Sequence, residues 1–177
     1  AGRKPGNVEI IRMIHLDHFL VLAKKANEQR WLPGHAQWLD GLERERGNLY
    51  EALRWASNHG QKRKFLELVG SLWLFWSIRG PLVEGRVWLE LAVKTLESIG
   101  GNEEYALAIN ILIGASELAR IQGDTELAIE WKHRIMEICH RSGEQRWLSA
   151  VLHDLAIIYA DREECERSLA FAEEAVT

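Results

Sequence analysis

Three times in this chain a glycine is followed five residues later by a small residue and three residues after that by tryptophan. The copies are Gly47, Ala52, Trp55; Gly80, Gly85, Trp88; and Gly123, Ala128, Trp131. A fourth, degraded copy reads Glu163, Ser168, Phe171, and the starts are spaced by 33, 43 and 40 residues. Each copy lies between two apolar stretches with helical spacing. Recurrence at such an interval marks stacked helical hairpins, because one pair of helices cannot bury its apolar face alone. The pattern has a physical reading. Glycine permits the left-handed backbone of a tight turn. The small residue sits where the second helix passes closest to the first. The aromatic, one turn further along the same face, fills the gap to the next hairpin.

Composition agrees with a packed helical domain. Of the 177 residues, 47% are hydrophobic and 27% charged, with 3 prolines and 14 glycines. β-branched runs that would mark strands are absent. A net charge of −4 disfavours bulk nucleic-acid binding, which needs a basic face. No apolar run approaches the roughly 20 residues needed to span a bilayer, and no signal-peptide pattern opens the chain. A cytoplasmic setting is expected, with Cys139 and Cys165 as reduced, buried thiols.

Apolar periodicity and breakers predict nine helices, at about 8–29, 35–46, 48–59, 62–78, 81–98, 103–121, 124–141, 145–161 and 164–177. In the first helix Ile11, Ile14, Phe19, Leu22 and Ala26 form the expected apolar face. Gly47-Asn48 reads as a turn with Asn48 as N-cap. The fourth helix, rich in Phe65, Leu68, Leu72 and Trp76, is apolar nearly all round and therefore buried on most sides. The expected fold is an all-α, right-handed superhelical stack of antiparallel hairpins. Residues 1–60 would form N-terminal helices with a first irregular hairpin, linking from an upstream module. Repeats would follow at about 61–100, 101–142 and 143–177. The helical pattern at Ala172, Ala175 and Val176 suggests a piece cut from a longer protein.

The large, small and aromatic positions at Leu112…Ala115-Ser116…Ala119…Gln122-Gly123-Asp124…Ala128…Ile135 resemble a tetratricopeptide repeat. So do Leu152…Leu155-Ala156…Tyr159…Ser168…Ala175 and Val69…Leu72-Trp73…Trp76…Gly80…Gly85…Ala92. The intervals of 40 and 43 exceed the usual 34 or so residues, and Lys132 stands where an aromatic is usual. Trp38-Leu39-Asp40-Gly41-Leu42 through Gly47-Asn48-Leu49-Tyr50-Glu51-Ala52-Leu53-Arg54-Trp55-Ala56 is similar to a segment of bacterial signal-transduction ATPases, the LuxR-type and related transcriptional regulators. That resemblance implies the sensor end of such a regulator, receiving a protein, peptide or small-molecule effector and acting on the parent's own ATPase module. The ATPase itself is not in this sequence, since no glycine is followed by lysine and a phosphate loop needs that pair.

Candidate sites are few. His15 and His18 lie three apart on one helix, but zinc takes three or four ligands and nothing completes the set. His133, Cys139 and His140 fare no better, because Cys139 and His140 point about 100° apart on a helix. No nucleophile elbow or triad spacing is present, so no enzyme, cofactor or metal is expected. Lys62-Arg63-Lys64 reads as a solvated helix start. The remaining hypothesis is a concave binding surface formed by the first helix of each hairpin. Aligned on the repeat, its positions are Glu67, Leu74 and Ser77, then Asn110, Ile113, Glu117 and Arg120, then His153 and Ile157. Arg120 either clamps a ligand's carboxylate or phosphate or pairs with Glu117 on its own helix. The alternatives to a regulator's sensor are a free-standing adaptor for peptide segments, a sensor attached to a kinase or cyclase, and an enzyme, which would need a deep pocket with convergent perturbed carboxylates or histidines.

Overall fold

The computed structural model describes residues 6–29, 32–99 and 105–176. They form nine helices and no strand: α1 (Asn7–Glu28), α2 (His35–Arg44), α3 (Arg46–Asn58), α4 (Lys62–Ile78), α5 (Leu82–Ile99), α6 (Tyr105–Ile121), α7 (Thr125–Ser142), α8 (Gln145–Asp161) and α9 (Cys165–Ala175). The expected start of the sixth helix at 103 lies outside the described residues. The polypeptide divides into two compact units, Ala1–Ile99 and Gly100–Thr177.

The first unit is organised around α4, which packs against α1, α3 and α5. Its apolar circumference explains this, since Phe65, Leu66, Leu68, Val69, Leu72, Phe75 and Trp76 are all at most 1% exposed. Burying that much apolar surface is the main source of the unit's stability. Helix α1 contributes Leu16, Phe19, Leu20, Ala23 and Ala26 to this core. The apolar face expected from the sequence is thus displaced: Phe19 and Ala26 are buried, but Ile11 and Ile14 are 64% and 65% exposed. Helix α1 is also clipped to α4 by ion pairs, Lys24 to Glu67 at 2.6 Å and Lys64 to Asp17 at 2.5 Å. The basic cluster at 62–64 is therefore a set of partnered side chains, with Arg63 on Glu67 and Lys62 Nζ donating to Ser98 Oγ.

Glu67 carries a pH dependence. Burial raises its pKa, but the hydrogen bonds and charges of Lys24 and Arg63 outweigh this and leave it below 4.5. A carboxyl lowered on folding contributes stability above its unfolded pKa, and that stability is lost as pH falls through the lowered value. Glu67→Gln should therefore flatten the acid limb of the pH–stability curve below about pH 4.5, by roughly 1 kcal/mol or less for so accessible a pair. Urea melts between pH 3 and 7 check this.

The second unit is two hairpins of one design. Helices α6 and α8 have the same length and start 40 residues apart, as do their turns. After α6, Gly123 N–H donates to Arg120 O, and Asp124 N–H to Ala119 O. After α8, Glu163 N–H donates to Ala160 O, and Glu164 N–H to Tyr159 O. Gly123 has φ +82° and Glu163 φ +62°, both left-handed. Glu163 is the one non-glycine among the described residues held there, so the degraded copy keeps the turn and carries its strain. A side chain in that region costs about 1–2 kcal/mol, part of which glycine returns through its freer unfolded chain. Glu163→Gly should stabilise the unit by about 0.5–1 kcal/mol, and Gly123→Glu should destabilise it by a similar or larger amount, read as opposite shifts of the guanidinium midpoint.

The small positions do what their spacing implies. Ala52 and Ala128 are at most 1% exposed, Gly85 is buried, and Ser168 Oγ donates to Ala156 O at 2.8 Å across the α8–α9 contact. Three expectations need correction. Gly47 and Asn48 lie inside the first turn of α3, whose N-cap is Glu45; Asn48 Nδ2 donates to Glu45 Oε2 instead of capping. Trp131 is buried, but Trp55 and Trp88 are only half-buried. Trp55 stacks on His59, whose Nδ1–H donates to Trp55 O, and Trp88 meets Phe65 edge-on. Cys165 is exposed, whereas Cys139 is buried, and burial followed by the nearby Glu144 charge pushes its thiol pKa up.

Candidate functional site

The second unit holds a concavity of about 300 Å³ walled by three helices. From α6 come Glu117 and Arg120, from α7 Lys132, and from α8 Asp154, Ile157, Ile158 and Asp161. The structure thus brings together Glu117, Arg120 and Ile157 of the sequence-derived positions. Asn110 and Ile113 lie on α6 and His153 on α8, outside its lining. On α4 in the first unit, Glu67 is engaged by Lys24 and Arg63, Leu74 is half-buried, and Ser77 Oγ donates to Leu74 O.

Four charges in the concavity answer one another. Arg120 binds Glu117 through two hydrogen bonds, Nε to Oε2 at 3.0 Å and Nη2 to Oε1 at 2.7 Å. Lys132 Nζ donates to Asp154 Oδ2 at 2.5 Å, joining α7 to α8. The hydrogen bond and charge of Glu117 raise the Arg120 pKa above its ordinary value, and Asp154 adds a smaller electrostatic effect in the same direction. Two cations and two carboxylates are therefore neutralised internally. Asp161 remains, exposed at the end of α8, its carboxylate in no hydrogen bond or ion pair among the described residues. Beside it Ile157 is 48% exposed. The surface thus offers one apolar contact and one uncompensated carboxylate.

Lys132, Asp154 and Asp161 were not among the sequence-derived site residues. A signal existed for Lys132, which occupies an aromatic position of the repeat: a cation there must find an acid, and α8 supplies it. Lys132 is buried while Asp154 is half-exposed. Burying a charge costs about as much as pairing returns, so Lys132→Met should leave stability within about 1 kcal/mol of the parent or raise it. Asp154→Ala, which strands the ammonium, should cost about 1–2 kcal/mol, less than a fully buried pair because water reaches the carboxylate side. Denaturant titration of both variants distinguishes these outcomes.

A second concavity, of about 360 Å³, lies in the first unit between the start of α1 and the end of α3. Trp55, His59, Arg12 and Glu51 line it, with Arg12 3.9 Å from Glu51. Among the described residues no group of three or more His, Cys, Asp or Glu side chains is placed to hold a metal ion. None of the described helices is long and apolar enough to cross a membrane.

The tetratricopeptide repeat family model matches residues 105–177, the stretch that contains α6 to α9 and the first of these concavities. No curated protein and no solved structure gives a significant match to the chain. Repeats of this kind generally bind proteins or peptides.

Proposed function

We propose that the chain is a non-catalytic, cofactor-free interaction module whose α6–α8 concavity takes a peptide segment of a partner protein. The observation that carries the reading is the charge arrangement at that surface. With Glu117–Arg120 and Lys132–Asp154 internally paired, Asp161 is the carboxylate left for a ligand and Ile157 the apolar contact beside it. The segment that fits has a lysine or arginine facing Asp161 and an apolar side chain on Ile157. Charge pairing there would set orientation and selectivity more than affinity. Selection of displayed peptides against the whole chain tests this. Enriched sequences should carry that basic–apolar pair and lose binding to Ile157→Lys and Asp161→Lys variants. Enrichment of acidic sequences, or binding indifferent to both changes, would refute it.

In a larger frame, we propose that the module is the sensor portion of a cytoplasmic regulatory ATPase of the transcription-regulator type. The support is the resemblance of the stretch from Trp38 to Ala56, which forms most of α2 and all but the last two residues of α3, to such proteins. Effector binding would then act by favouring one of two states of the parent, which requires different affinities for the two. Sequencing the parent gene decides between this and an adaptor. A phosphate loop G-x-x-x-x-G-K-[ST] upstream supports the regulator, and a parent lacking any nucleotide module removes it.

A further inference from the structure

The first unit holds a third concavity, of about 170 Å³, walled by three helices. Ser57 comes from the end of α3, Lys62 and Phe65 from the start of α4, and Lys94, Thr95 and Ser98 from the last turns of α5. The α4–α5 hairpin brings the start of one helix to the end of the other, and Lys62 Nζ donates to Ser98 Oγ at 3.2 Å. The wall thus carries two ammonium groups, three hydroxyls and no carboxylate, in a chain whose net charge is −4. Elsewhere in the unit Lys24, Arg63 and Lys64 each meet an acid. Among the described residues Lys62 meets only the neutral Ser98 hydroxyl, and the Lys94 ammonium is in no hydrogen bond or ion pair.

The hydroxyls can join the lysines as donors. Ser57 Oγ donates to Arg54 O, Thr95 Oγ1 to Leu91 O and Ser98 Oγ to Thr95 O. Each of these carbonyls also accepts the helical N–H four residues on, so a hydroxyl that turns to a ligand leaves none of them unsatisfied. Two further features favour negative charge. Lys62 is the first residue of α4, whose N-cap Gln61 makes no side-chain capping bond, so the positive end of the helix dipole lies beside the concavity. Phe65, 1% exposed, closes its floor with apolar surface and strengthens the charges above it. We infer that this concavity binds the phosphoryl group of a phosphate monoester. Two ammonium groups match the charge of the dianion, and donors on three helices serve its three terminal oxygens, whereas a carboxylate has one charge and two oxygens. The site shares no residue with the α6–α8 concavity and is independent of the peptide reading given above.

The probes are glycerol phosphate and an acetylated, amidated alanine–phosphoserine–alanine peptide, each titrated into the isotope-labelled whole chain at constant ionic strength and followed by amide resonances. The signals of Lys62, Arg63 and Ser98 should shift and saturate with both, at about millimolar Kd or tighter. Binding of the phosphopeptide about tenfold more tightly assigns the site to a phosphorylated protein segment, and equal affinities assign it to free phosphate esters. Lys62→Gln and Lys94→Gln, both at exposed positions, should each weaken binding about fivefold to tenfold with unchanged circular dichroism. The double variant should show no saturation. Titrations of the parent that never saturate overturn the proposal, as does saturable binding that survives both substitutions. Equal affinity for the matching glutamate peptide also overturns it, because the concavity would then be a general carboxylate site.

Discussion

Truncating Trp131 to alanine lowers the stability of the second unit by about 3–5 kcal/mol, the usual cost of deleting a large buried aromatic. The ring is 6% exposed on α7, between neighbours that are themselves fully buried, among them Ala128 and Ile135. Such a helix cannot collapse into the space left behind, and the cavity adds to the lost transfer free energy. The same change at Trp55 or Trp88 should cost distinctly less, because both rings are half-buried. Guanidinium denaturation of the three variants, followed by circular dichroism, gives the order directly. A Trp131→Ala variant as stable as the Trp55→Ala variant would remove the packing role assigned to the repeat's aromatic.

Gly80→Ala should destabilise the first unit by about 1–3 kcal/mol, the range for overpacking a well-filled site. The cause is contact and not backbone freedom, since Gly80 is not among the residues with positive φ. A Cβ there would lie 2.9 Å from both the Cα and the Cδ1 of Trp76. The first of these atoms is backbone and the second belongs to a ring that is fully buried, so neither can give way cheaply. Trp76 Nε1 and the nearby Tyr50 Oη are buried with no hydrogen-bond partner among the described residues. Burial first, then the Glu84 carboxylate, pushes the Tyr50 pKa up to about 12. A Gly80→Ala variant with unaltered melting would contradict the close approach.

The helices were legible from the sequence because apolar period and breaker residues act locally. Eight of the nine starts fall within two residues of their expected positions, and the ninth expected start falls at an undescribed residue. What the sequence blurred were differences between copies of the repeat. Gly47, Gly80 and Gly123 read alike, yet one is inside a helix, one avoids a ring and one adopts the left-handed turn. Trp55 read as core because nothing local reports that a histidine one turn later will hold its ring. In the concavity, Glu117, Arg120 and Ile157 followed from repeat alignment. Asp154 and Asp161 did not, because their role depends on which cation α7 extends toward α8.

The two matching turns of the second unit bear on how it is made. Within α6–α7 and α8–α9 each helix packs most closely on its immediate successor, so each hairpin closes over a short stretch of chain. Short closures are fast and cost little entropy. During synthesis the 105–142 hairpin can pack as soon as α7 leaves the ribosome, before α8 has emerged. It then presents its finished α7 stripe as the template on which the next hairpin docks. Order of emergence thereby matches order of assembly, and slow pairing between distant parts of the unit is not required.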